Sequence, residues 1–173
     1  MSEVSVRVAR ENEIEQIRSI LAAAYGQYES AFPQENWIRY QEDILDIESR
    51  AEISTLLVAE RDGAIVGCVS YYPPGAETSY PSETYSEQWP PDHAAIRLLA
   101  VDPTARHGGI GRVLTDACIE RARADGAVAV GLHTTQEMAV ARAMYERMGF
   151  ERTPRYDFQP SPVIFVEAYA LKL

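Results

Sequence analysis

The chain has 173 residues, 46% hydrophobic and 24% charged, which suits a single globular domain over residues 1–173 with a full apolar core. Its 26 acidic residues against 16 basic ones give a net charge of −10, a sign that repels phosphate backbones and argues against nucleic-acid binding. No apolar run is long enough to span a bilayer, and residues 1–10 carry Glu3, Arg7 and Arg10 where a leader would be apolar, so no membrane partner and a cytoplasmic location are expected.

Residues 4–8 alternate like a strand. From Glu11 onward Ile14, Ile17, Leu21 and Ala24 recur at helical spacing, and a second helix is predicted over 37–48 with Ile38, Ile44, Leu45 and Ile47 as its apolar members. Residues 55–60 read as a strand, Asp62-Gly63 as a tight hairpin turn, and 64–72 as the returning strand. The segment 73–94 holds Pro73, Pro74, Pro81, Pro90 and Pro91 among Tyr80, Tyr85 and Trp89. Prolines that dense exclude a central strand, and the segment reads as a long loop. A strand follows over 95–101, then an amphipathic helix over 109–125 whose stripe is Ile110, Val113, Leu114, Ala117, Cys118 and Arg121, the last snorkelling or turning outward, ended by Gly126. Residues 127–132 form a buried strand, 138–148 a helix ended by Gly149, and 150–158 and 163–171 two final strands. Cys68 and Cys118 lie inside these elements and read as buried thiols rather than a disulfide or a metal pair; no metal is expected. The order predicts an α/β fold: a mixed, mostly antiparallel sheet with a central parallel strand–helix–strand unit and helices on both faces.

The informative stretch is Val101-Asp102-Pro103-Thr104-Ala105-Arg106-His107-Gly108-Gly109-Ile110-Gly111-Arg112. A strand ends, a short polar turn follows, and glycines lead directly into a helix. Glycine lets the backbone approach a ligand, and the first helical amides have no intrahelical partner. Such a start binds phosphate, and Arg106 and Arg112 add charge-assisted donors for a diphosphate. A nucleotide-hydrolysing loop would need Lys-Ser/Thr after Gly111, where Arg112-Val113 stand; a dinucleotide fingerprint would need glycine at 114, where Leu114 stands.

Arg106-His107-Gly108-Gly109-Ile110-Gly111 resembles the Arg/Gln-x-x-Gly-x-Gly/Ala signature of the GNAT superfamily of N-acetyltransferases. The preceding Leu98-Leu99-Ala100-Val101-Asp102-Pro103 is similar to that family's strand end, and Ala141 to Phe150 is similar to its Ala-x-x-x-Tyr-x-x-x-Gly-Phe segment. The resemblance covers essentially the whole chain. It implies acetyl-CoA as acetyl donor and a primary amine of a small molecule or peptide as acceptor, with transfer inside a ternary complex. It further implies that Arg106, His107, Gly108, Gly109, Gly111 and Arg112 surround the cofactor diphosphate. The pantetheine arm would lie beside Leu99 and Val101, where the strand bulges and splays from residues 127–132, and Tyr145 would be the general acid. Many relatives carry a glutamate on the strand before the loop; here Ala94-Ala95-Ile96-Arg97 has none, and Asp92 and His93 are the nearest candidate bases. Met138 stands where relatives place an asparagine, with Thr134, Thr135 or Gln136 as substitutes. The missing carboxylate leaves a second reading open, a coenzyme-A-binding regulatory module without turnover. Pairing of the last strands across a two-fold axis leaves a homodimer open.

Overall fold

The computed structural model describes residues 2–76 and 88–173; Tyr80 and Tyr85 of the proline-rich loop lie outside the described residues. The strands are β1 (Ser5–Val8), β2 (Thr55–Arg61), β3 (Ala64–Tyr72), β4 (His93–Val101), β5 (Ala129–Thr134), β6 (Glu151–Arg152), β7 (Phe158–Ser161) and β8 (Ile164–Lys172). The helices are α1 (Ile14–Gly26), α2 (Gln34–Leu45), α3 (Ile47–Ile53), α4 (Ile110–Ala124) and α5 (Ala139–Arg147). They make the expected mixed sheet, in strand order β1-β2-β3-β4-β5-β8-β6 with β7 on β8, mostly antiparallel and with β4 and β5 parallel. The chain divides into two compact units, Met1–Tyr71 with Leu98–Cys118, and Tyr72–Arg97 with Ile119–Leu173.

In the first unit β1, β2 and β3 form an antiparallel meander, with Val6 opposite Ala59 and Val58 opposite Cys68. Asp62 and Gly63 both take left-handed backbone, φ 53° and 77°, which is the twist a two-residue hairpin requires. Ile17 and Leu21 of α1 are buried with Leu57, Val58, Cys68 and Val69 of the meander. Both faces of β3 carry helix. A Cβ on Gly67 would meet Ile110 and Leu114 of α4, whereas Ser70, on the opposite face, accepts a hydrogen bond at 3.1 Å from Nε of Arg50 in α3.

The helix predicted over 37–48 is two helices. Arg50, 5% exposed, donates from Nη1 to the Asp43 carbonyl at 2.7 Å and from Nη2 to the Ile44 carbonyl at 2.9 Å. Those carbonyls belong to the last turn of α2, where Asp46 N also donates to the Asp43 carbonyl at 3.3 Å, so the guanidinium helps close that helix. Asp46 then opens α3, its side chain accepting from Ser49 N at 3.3 Å. The buried stripe of α4 is Ile110, Leu114, Thr115, Cys118, Ile119 and Ala122; the predicted members Val113 and Ala117 are half-exposed. The stripe turns toward Thr115 because its hydroxyl is satisfied locally, donating to the Gly111 carbonyl at 2.8 Å.

In the second unit β5 pairs in parallel with the beginning of β4, His93 with Ala129 through Ile96 with Leu132, and antiparallel with β8, down to Thr134 opposite Glu167. Trp89 lies flat on one face of β5, where a Cβ on Gly131 would come within 2.4 Å of the indole. On the other face Tyr169, opposite Leu132, donates its hydroxyl to Glu146 of α5 at 3.0 Å. The strand expected over 150–158 is interrupted. Pro154 starts a 3-10 turn at Pro154–Tyr156, leaving a two-residue β6 before it and β7 after it. The two cysteines are free and buried, as expected.

Candidate active site

In the first unit the site begins inside β4. Leu98 takes φ 52°, left-handed backbone within a strand, two residues after the last parallel pair at Ile96. Such a residue breaks the ladder and turns the following backbone. The carbonyl of Leu99 accepts from the hydroxyl of Tyr25, a side chain of α1, at 3.1 Å. Beyond Val101, Asp102 N donates to the Val66 carbonyl at 2.9 Å. The Asp102 carboxylate accepts from the Thr104 hydroxyl at 2.7 Å and from Thr104 N at 2.8 Å, and these bonds hold it below the usual carboxylate range. A 3-10 turn at Pro103–Ala105 follows, pinned by buried Ala105.

Arg106, His107, Gly108 and Gly109 are then all exposed, and His107 and Gly109 are left-handed at φ 68° and 69°. The first bond of α4 runs from Val113 N to the Gly109 carbonyl at 3.1 Å, so the amides of Ile110, Gly111 and Arg112 precede it without intrahelical acceptors. A Cβ on Gly109 would meet nothing within 4 Å, which leaves the approach to these amides open. The cations beside them are lightly engaged. Among the described residues Arg106 meets the Gln27 amide oxygen at 3.5 Å, and exposed Arg112 stands 3.7 Å from Asp116. Unbonded amides, a positive helix terminus and loosely held arginines fit a diphosphate.

Tyr145 and His93 belong to the second unit. Tyr145 is the buried residue of α5, 6% exposed, its ring edge-on to Phe150 at 5.6 Å. Ala141 and Met148, about one turn to either side of it, are half-exposed, so Tyr145 alone is enclosed on that helix. The helix is tied to β8: Arg142 pairs with Glu167 at 3.1 Å and Glu146 at 3.5 Å. His93 opens β4 instead of lying in the loop. Its Nδ1 is 2.8 Å from Oδ1 of Asp92, and its ring is stacked with Trp89 at 6.1 Å. Both candidate bases are thus joined in one pair. An Nδ1–H donated to the carboxylate leaves the Nε2 lone pair available. Sequence reasoning passed over Glu167, which is buried opposite Thr134, and Arg61, treated below. Only the register of β5 on β8 brings out the first.

A strand broken by a left-handed residue thus feeds a glycine loop and a helix within a mixed α/β sheet. Solved structures share it. An acetyltransferase of the GNAT family from Staphylococcus aureus Mu50 matches with a TM-score of 0.70 at 17% identity, over 99% of both chains. The PaiA N-acetyltransferase of Thermoplasma acidophilum, solved in complex with coenzyme A, matches with a TM-score of 0.68 at 13% identity, over 96% of this chain and 98% of that one. The model of the acetyltransferase (GNAT) family matches residues 14–150. An IAA acetyltransferase of Azospirillum brasilense is 34% identical over 127 residues, 72% of this chain and 74% of that protein. An amino-acid acetyltransferase of Pseudomonas syringae is 30% identical over 123 residues, 68% of this chain but 25% of its own length. The chain belongs to the acetyltransferase (GNAT) family: it is an acetyltransferase whose acetyl donor is acetyl-CoA.

Proposed function

We propose that the chain transfers an acetyl group directly to a primary amine of a small molecule or peptide, with donor and acceptor bound together. The observation that carries this reading is the exposed loop 106–109, opening onto the unbonded amides of α4. Acetyl-CoA when bound supplies an acetyl group activated as a thioester. The amides of Gly109 to Arg112 and the guanidinia of Arg106 and Arg112 hold its diphosphate, and His107 and Gly108 shape the loop around it. Backbone groups at Leu99 and Val101 orient the arm, and an N–H there polarises the carbonyl. Nitrogen–carbon bond formation and carbon–sulfur cleavage release one proton from the amine and require one at sulfur. His93, oriented by Asp92, accepts the first through Nε2; Tyr145 donates the second.

Direct transfer is supported by the cysteines. The chain has only Cys68 and Cys118, both are buried, and burial pushes the Cys68 thiol up to about 12. Neither thiol is exposed to take up the acetyl group.

The test is thiol release from acetyl-CoA across a panel of primary amines. Tyr145→Phe should lower kcat about 10²-fold, while calorimetric affinity for coenzyme A stays at the wild-type value. Wild-type protein that binds coenzyme A yet acetylates no amine would refute transfer and establish the regulatory module.

A further inference from the structure

Arg61 ends β2, paired with Ala64 across the Asp62-Gly63 turn. Its guanidinium is carried onto the glycine loop: a Cβ on Gly108 would lie 3.1 Å from Nη1. A side chain at 108 would therefore compete with Arg61 for the same space. Several other half-buried arginines of this acidic chain take carboxylates. Arg7 bonds Glu13 and Glu60 at 2.7 Å, and Arg152 bonds Asp157 at 2.7 Å. Arg61 has no hydrogen bond or ion pair among the described residues, and its neighbour Glu60 is already held by Arg7. Arg61 thus stands half-buried beside the glycine loop with its donors uncommitted among the described residues, available to an anion held there.

We propose that Arg61 is a further ligand of the cofactor diphosphate, reaching it from beside Gly108. The inference rests on the reading of the 106–112 loop as the diphosphate cradle. A guanidinium presents several N–H donors in a fixed planar fork that matches two phosphoryl oxygens at once, a geometry a lysine ammonium does not hold. Together with Arg106 and Arg112 it supplies positive charge that the sequence motif alone leaves out.

Binding of coenzyme A, 3′-dephospho-coenzyme A and pantetheine is measured by calorimetry, the last by competition, for wild type, Arg61→Ala and Arg61→Lys. Unliganded melting temperatures provide the check on folding. Arg61→Ala should weaken both nucleotide ligands about tenfold and leave pantetheine unchanged, with Arg61→Lys recovering part of the loss. Loss for coenzyme A alone would move the contact to the 3′-phosphate and overturn the assignment, as would unchanged affinity for both nucleotides. Wild-type protein that binds pantetheine as tightly as coenzyme A would instead overturn the cradle itself, whatever Arg61 does.

Discussion

Gly67→Ala tests whether the position of α4 is set by contact with β3. An added methyl at 67 would lie 2.8 Å from the Ala100 carbonyl oxygen, 3.0 Å from Cγ2 of Ile110 and 3.1 Å from Cδ1 of Leu114. The first of these is about 0.6 Å inside ordinary contact, and it is backbone. Ile110 and Leu114 are 2% and 0% exposed, so neither has room to turn aside. Relief requires β4 to shift at Ala100 and α4 to lift. Overpacking of this kind costs about 3 kcal/mol, of which the lower chain entropy of alanine restores about 0.5–1 kcal/mol. The net, about 2 kcal/mol, corresponds to a fall in Tm of about 4–8 °C for a chain of this size. Circular dichroism melting gives the stability, and coenzyme A titration gives the site, because the lifted helix carries the amides at 110–112 with it. A Tm within 1 °C of wild type, about the reproducibility of such a melt, together with unchanged affinity, would mean that α4 does not rest on β3 as described.

Acid should weaken the first unit through Glu13. Hydrogen bonds from Arg7 are the main cause holding its carboxyl down at about 2, against an ordinary value of 4.5. A depressed carboxylate contributes stability above its unfolded pKa and loses it as pH falls through its folded one. Unfolding free energies from denaturant titrations should therefore decline between about pH 4.5 and 2 by at most about 3 kcal/mol, and Glu13→Gln should flatten that decline. Cys68, fully enclosed and with its thiol pushed up to about 12, should resist alkylation at pH 8 in folded protein and react only on unfolding. Rapid modification of the native chain would contradict that burial.

Much of the fold was legible because each element repeats its apolar residues at its own period. The Asp62-Gly63 hairpin and the helix after the glycine loop needed only local chemistry. The division of 37–48 was not legible, because its cause, Arg50, lies beyond the predicted helix and finds its acceptors only once folded. The strand over 150–158 was misread because its apolar ends hid the effect of Pro154. At the site, glycines and arginines near 106–112 announce themselves in one stretch, and His93 and Asp92 are adjacent. Arg61 is distant in sequence from Gly108, and nothing but the path of the β2–β3 hairpin joins them. Trp89 was recognisable as an aromatic available to the loop, but its place flat on Gly131 depends on a glycine at a position otherwise suited to any strand residue.

The irregularity in β4 is carried by Leu98, a bulky residue, 8% exposed, in a backbone region where glycine would rest more comfortably. The left-handed conformation costs a leucine about 1–2 kcal/mol, but its enclosed side chain keeps the segment from swinging. Glycine there would make a hinge; leucine makes a fixed corner, so that the main chain leading to Val101 keeps one direction before any ligand arrives.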